Sequence, residues 1–194
     1  MAERKIWWVT DEGVRELIVG FKWHGIMTPQ HKLDNVTELH LNTRQRIRSK
    51  FDLPINPIEI STTSPWELGR DLSAFNLKVN GVPVEVLYQK AKVFKDGTRL
   101  ALPENCDSKT AKRIAKENRK EIAYMERSYS DLYITWVYEY FDKDLKKAYN
   151  ALKEYDVFTD VWFNHTQSRN CQAKYLALMV SNLRRKYRWL KFGK

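Results

Sequence analysis

The feature that most constrains this chain is a change in the period of its apolar residues. Over the first two dozen positions they cluster or alternate as strand residues do, in Ile6 to Val9 and again in Val14 to Trp23, with Asp11-Glu12-Gly13 between them as a turn. Thr28-Pro29 opens a new element. From Leu33 the period lengthens: Val36, Leu39, Leu41 and Ile47 recur among polar residues, which predicts an amphipathic helix to about Lys50. Its basic end, Arg44, Arg46, Arg48 and Lys50, suits a helix C-terminus, where the peptide dipoles favour cations. Strands first and helices afterwards, with no stretch of linker composition between them, predict one α+β domain over residues 1–194. It should be mainly helical, with a small sheet near the N-terminal half.

Pro54 and Pro57 hold the next stretch extended or looping up to Thr63. Ser64-Pro65-Trp66-Glu67 then reads as a helix start, with Ser64 capping a free amide, Pro65 at the first helical position and Glu67 completing a capping box. Gly69 keeps that helix short. Phe75 to Val79, Asn80-Gly81 and Val82 to Val84 read as a hairpin, because Asn-Gly supplies the positive φ angles of a two-residue turn. Helices are expected from Glu85 through Phe94, from about Lys109 to Arg127, from Asp131 to Phe141, from Asp144 to Tyr155, and from near Cys171 past Arg188.

Composition excludes several classes. The apolar runs are far too short to span a bilayer, and Met1 to Trp8 lacks the apolar stretch of a secretory signal, so a cytoplasmic protein with no membrane partner is expected. Cys106 and Cys171 make neither a disulfide framework nor a CxxC pair. His24, His31, His40 and His165 are scattered without metal-ligand spacing, so no metal and no cofactor are expected. The net charge of +10 raises the local concentration of polyanions. The basic run Arg184, Arg185, Lys186 and Arg188 is the candidate nucleic-acid contact, and the charged stretch from Lys109 to Arg127 reads as a solvated face.

The chemistry-bearing segment is Leu72-Ser73-Ala74-Phe75-Asn76-Leu77, the hairpin, and Val84 to Phe94. On one helix Glu85, Gln89 and Lys92 fall at i, i+4 and i+7, so a carboxylate, an amide and an amine share a face, with Asn76 delivered near the same helix end. Glu–Gln–Lys alone is common on surface helices. The pattern LSAFNL, a hairpin and VE-x-x-YQ-x-x-K-x-F, however, resembles the signature of the NADAR (YbiA-like) family. The similarity resumes at Tyr155-Asp156-Val157-Phe158-Thr159-Asp160, at Asn164 and at Asn170-Cys171-Gln172-Ala173. Ser64-Pro65-x-Glu67-Leu68-Gly69-Arg70 and Lys92-Val93-Phe94 are most similar to the NADAR proteins encoded beside DarT-type DNA ADP-ribosyltransferase toxins. The likeness runs from about Phe21 to Leu183 and is strongest over 61–183.

The resemblance implies a hydrolase that strips ADP-ribose from a modified base of DNA or RNA, guanine in DNA foremost, as antitoxin or anti-defence factor to a DarT-type toxin. It implies Lys92 as nucleophile or electrostatic anchor and Glu85 as proton carrier. Asp156 or Asp160 would be the second carboxylate or orient the ribose, and Asn76, Gln89, Asn170 and Gln172 would bind the ligand. A lysine nucleophile needs a depressed pKa, whereas a charged Glu85 beside it pulls the other way unless it is protonated. A tryptophan that many members use in the middle segment has Tyr124 or Tyr129 as candidate counterparts. Two other readings stay open. One is an N-glycosidase acting on small riboflavin-pathway intermediates. The other is a reader of ADP-ribosylated nucleic acid without catalysis, against which the presence of both Glu85 and Lys92 argues.

Overall fold

The computed structural model describes residues 1–166, 168 and 170–192. Its architecture is mainly helical α+β. The principal sheet has four strands: β1 (Ala2–Thr10), β2 (Gly13–Phe21), β3 (Pro57–Glu59) and β8 (Val157–Thr159), in the order β2-β1-β8-β3. β1 and β2 are antiparallel, β8 runs antiparallel to β1, and β3 lies parallel to β8. Both faces of the sheet are covered at the middle of β1, which explains why Ile6 to Val9 is apolar at every position. Ile6 and Trp8 face the long helix α1 (Pro29–Phe51), packing with Val36, Leu39 and Ile47. Trp7 and Val9 face the opposite way, toward a core shared with α5 (Tyr129–Tyr140), α6 (Leu145–Leu152) and α7 (Gln172–Phe192).

Several sequence expectations hold. Thr28 caps α1, accepting from the His31 amide, with Pro29 in the first turn. Asn80 and Gly81 have φ of 53° and 79°, as the tight turn between β4 (Lys78–Val79) and β5 (Val82–Pro83) requires. Gly69 lies in the short α2 (Glu67–Asp71), and here the reason is space rather than φ. A Cβ on Gly69 would sit 2.1 Å from the Glu59 carbonyl oxygen and 2.4 Å from the Ser64 hydroxyl. The capping box is not formed: Ser64 Oγ accepts from the Trp66 amide at 3.3 Å, while Ser64's own amide donates to the Ser61 carbonyl.

Two expected helices are each divided. The helix from Glu85 ends early: α3 is Val84–Lys90, and Lys92 to Phe94 form strand β6. The stretch from Lys109 to Arg127 separates into α4 (Ser108–Glu117) and strand β7 (Ile122–Met125), with Asn118 closing the helix by bonding the Ile114 carbonyl. β6 and β7 pair with each other, Val93 opposite Tyr124. Burial of Val93 and cross-strand hydrogen bonding outweigh the helical period that both segments show in isolation. β3 falls in the stretch read as extended or looping, and β8 has no counterpart among the expected elements, since three-residue strands leave no measurable period.

Candidate active site

The hairpin delivers α3. The Val84 amide donates to the Leu77 carbonyl and the Glu85 amide to the Ala74 carbonyl, so the start of the helix is clamped to the segment that precedes the hairpin. Glu85 is 5 % exposed and Gln89 3 %. Gln89 Nε2 donates to Glu85 Oε1 at 2.7 Å, and Lys92 Nζ donates to Gln89 Oε1 at 2.5 Å. The amide thus links amine to carboxyl in one chain of hydrogen bonds. Lys92 reaches it from β6 rather than from the helix, so the three residues meet although they do not share one helix face.

The electrostatics of this chain address the tension between lysine and glutamate. Burial raises the Glu85 pKa above the usual carboxylate range, against the opposing pull of Lys112, the Gln89 hydrogen bond and Lys92. Burial lowers the Lys92 pKa, Glu85 opposes this, and Lys112 and Arg119 add to the lowering. Both groups therefore shift toward their neutral forms. The Lys92 ammonium position lies 5.3 Å from the centre of the Tyr88 ring. The Tyr88 hydroxyl accepts from Asn170 Nδ2 at 2.9 Å, and Asn170 Oδ1 accepts from the Tyr175 hydroxyl at 3.2 Å. Asn170 is thereby held between Tyr88 and Tyr175.

Gln172 and Asp160 form a bracket behind this group. Gln172 Oε1 accepts from the Ala74 amide at 2.6 Å, and its Nε2 donates to the Ile60 carbonyl at 2.5 Å and to Asp160 Oδ2 at 3.0 Å. Asp160 Oδ1 takes the Trp162 amide, and burial followed by the Glu59 charge raises its pKa to about 7. Glu59 is fully buried between the Thr159 hydroxyl at 2.6 Å and the Val161 amide at 2.8 Å. Because Thr159 donates to Glu59, the ring of His40, 2.8 Å from the same hydroxyl, donates through Nε2. Burial pushes the His40 pKa down to about 3, so the ring is neutral. This buried network fixes the sheet end on which Gln172 rests.

The structure does not bring Asp156 to the site. Asp156 precedes β8 and Asp160 follows it, so an extended strand of about 13 Å separates them. Asp156 instead pairs with Arg184 at 3.0 Å and accepts the Asn56 amide at 3.1 Å, fastening α7 to the sheet. The C-terminal basic run is similarly engaged. Arg184 also donates to the Lys153 and Tyr155 carbonyls, Arg188 pairs with Asp11, and Arg185 donates to Asn182, while Lys186 is exposed. Arg184 and Arg188 lie about 18 and 24 Å along the helix axis from Gln172.

Asn76 is exposed, donates to the Arg70 carbonyl at 3.1 Å, and lines an open cleft of about 680 Å³ together with Phe75, Lys78, Lys90 and Lys109. The cleft follows the Val86 and Lys90 side of α3, adjacent to the side bearing Glu85 and Gln89. Lys112 of α4 lies over the Phe75 ring at 5.1 Å. Of the two tyrosines considered as tryptophan counterparts, Tyr129 is buried and packs edge-on to Tyr88, whereas Tyr124 is 57 % exposed on β7.

Glu59, Lys112, Arg119, Tyr88 and Tyr175 were not singled out as site residues from the sequence. Tyr88 stands within the quoted motif, but Lys112 and Arg119 are hidden in a charge run, and nothing local marks Glu59. Among the described residues, no group of three or more His, Cys, Asp or Glu comes together as metal ligands would, and no helix is long and apolar enough to cross a membrane.

A family model described as the DarT1-associated NADAR antitoxin matches residues 2–188. No curated protein matches the chain. The order of motifs, the buried Glu85–Gln89–Lys92 chain and this match over nearly the whole sequence lead to one conclusion: the chain belongs to the NADAR family, among its DarT1-associated antitoxins.

Proposed function

We propose that this protein is an ADP-ribosyl hydrolase that frees ADP-ribose from a modified nucleic-acid base, guanine in DNA foremost, and so reverses the work of a DarT toxin. The observation that carries the reading is the Glu85–Gln89–Lys92 hydrogen-bond chain, buried and shifted toward a protonated carboxyl and a neutral amine. Cleaving the bond between C1″ and the base nitrogen needs a proton for the leaving base and a nucleophile for an oxocarbenium-like carbon. Glu85 in its protonated form supplies the proton as the base departs, and Lys92 in its unprotonated form, which burial favours, bonds to C1″. The amine's surplus proton returns to Glu85. Water then hydrolyses the glycosylamine, restoring Lys92 and releasing ADP-ribose, so that one water is consumed overall.

Asn170 is the candidate for a hydrogen bond to the ribose, a reading supported by its being fixed between Tyr88 and Tyr175. The adjoining cleft has the volume of a nucleotide site, and Lys78 and Lys90 on its wall suit the diphosphate. Gln172 and Asp160 act as positioning residues through Ala74. Incubating the purified chain with an oligonucleotide carrying ADP-ribosylated guanine tests the reading: free ADP-ribose and restored guanine are expected. Tight binding of the modified oligonucleotide with no release would refute the hydrolase reading.

A further inference from the structure

The cations that could meet a polyanion are unevenly distributed over this molecule. At the C-terminal run, Arg184 and Arg188 are already paired with Asp156 and Asp11. On α4, Lys109, Lys112 and Lys116 fall at i, i+3 and i+7 and so share one exposed face, which borders the side that buries Ala111 and Ala115. Arg119 and Lys120 follow in the turn before β7. Among the described residues, none of these five cations has a carboxylate within 4.0 Å, whereas their neighbour Arg113 pairs with Glu117.

We propose that this face of α4, continued by the turn to β7, is the track that holds the nucleic-acid strand carrying the modified base. The proposal rests on the hydrolase reading for its purpose but not for its evidence. From Lys109 to Lys116 the face spans about 10 Å. A fully stacked strand rises ~3.4 Å per phosphate and an unstacked one more, so the face meets at most about three phosphates. The track also lies where a substrate strand must pass. Lys109 lines the rim of the cleft, Lys112 covers Phe75, and Arg119 is close enough to Lys92 to influence its charge. The exposed Tyr124 stands just beyond the turn, on the strand paired with the one that carries Lys92, and offers a ring on which an unpaired base can stack.

The test uses the full chain and an unmodified, fluorescently labelled single-stranded DNA, with binding read by anisotropy across a sodium chloride titration. Lys116→Gln with Lys120→Gln removes two phosphate contacts. The slope of log affinity against log salt should flatten by about 1.4, and affinity at 0.1 M salt should fall about 25-fold. Tyr124→Ala should weaken binding about fivefold or more with an unchanged slope. Arg185→Gln with Lys186→Gln should leave the slope as in the parent. Thermal melting of each variant verifies folding.

An unchanged slope in the α4 variant, or a flattened slope in the C-terminal variant alone, overturns the proposal. Cleavage of ADP-ribosylated guanosine, which has no strand, separates the two readings. If the parent binds DNA through α4 but releases no ADP-ribose, the hydrolase reading fails and the track stands. If it cleaves the nucleoside but the α4 variant binds DNA as the parent does, the track fails and the hydrolase stands.

Discussion

Replacing Lys92 by Met and Glu85 by Gln, singly and together, tests whether the buried hydrogen-bond chain works as one device. Each single variant removes one end of the chain and leaves Gln89 in place. Loss of a general acid typically costs ~10²–10⁴-fold in rate, which is about 3–5 kcal/mol of barrier. Independent groups would multiply, giving ~10⁴–10⁸-fold for the double variant. In the proposed mechanism a single sequence of proton and amine transfers passes through both groups, so once either is absent the other has nothing to act on. The double variant should therefore fall within about tenfold of the worse single one. The assay is chromatographic release of ADP-ribose under single-turnover conditions, with thermal melting to verify folding. Lys92→Arg separates the roles further, because it keeps a charge but forms no adduct with C1″. Borohydride should trap the ring-opened imine form of the adduct on Lys92 in the parent protein only. Near-parental turnover of Lys92→Met at an unchanged melting temperature would refute the reasoning outright. Multiplicative losses would refute the single-device argument while keeping both residues in the site.

Lys112 lowers the pKa of both Glu85 and Lys92, so Lys112→Met should move both limbs of the pH–rate profile to higher pH; limbs moving in opposite directions would be inconsistent with that geometry. Gln172→Leu leaves the Ala74 amide and Ile60 carbonyl without partners and takes a donor from Asp160. At about 1–3 kcal/mol per buried orphan it should cost at least about 2 kcal/mol in urea denaturation, and a loss below about 1 kcal/mol would contradict the bracket. Asp156→Asn weakens the fastening to Arg184 and should lower stability by about 1 kcal/mol with little change in turnover of the folded protein; a hundredfold loss of turnover would return Asp156 to the catalytic group.

Local chemistry made some of this legible in the sequence and tertiary chemistry hid the rest. Thr28-Pro29 and Asn80-Gly81 are short-range instructions, and the structure places a helix start and a turn there. Glu85, Gln89 and Lys92 were found together, but through a helical period that stops at Lys90. Lys92 arrives by a strand whose partner lies some thirty residues away and is invisible to local patterning. The same distant pairing divides the charged stretch after Lys109; Lys112 and Arg119 are exposed, as a solvated face would have them, and nothing in the local pattern shows that their charges reach Lys92. Asp156 and Asp160 look equivalent in sequence, each flanking the apolar Val157-Phe158. Only the direction of β8 shows that they stand at opposite ends of one strand.

The position of β8 between β1 and β3 also bears on when such an antitoxin becomes competent during its own synthesis. Trp7 pairs with Phe158 across 151 positions of chain, so β1 emerges from the ribosome with one of its hydrogen-bonding edges unfilled. At about 5–20 residues per second that edge waits roughly 8–30 s for its neighbour. Gln172, which braces the Ala74 segment against Asp160, emerges later still. No partial chain ending before α7 can hold the Glu85 segment as the finished protein does. The brace on the Glu85 segment is thus completed only once the start of α7 has been made, so the candidate site is among the last parts of the fold to be fixed.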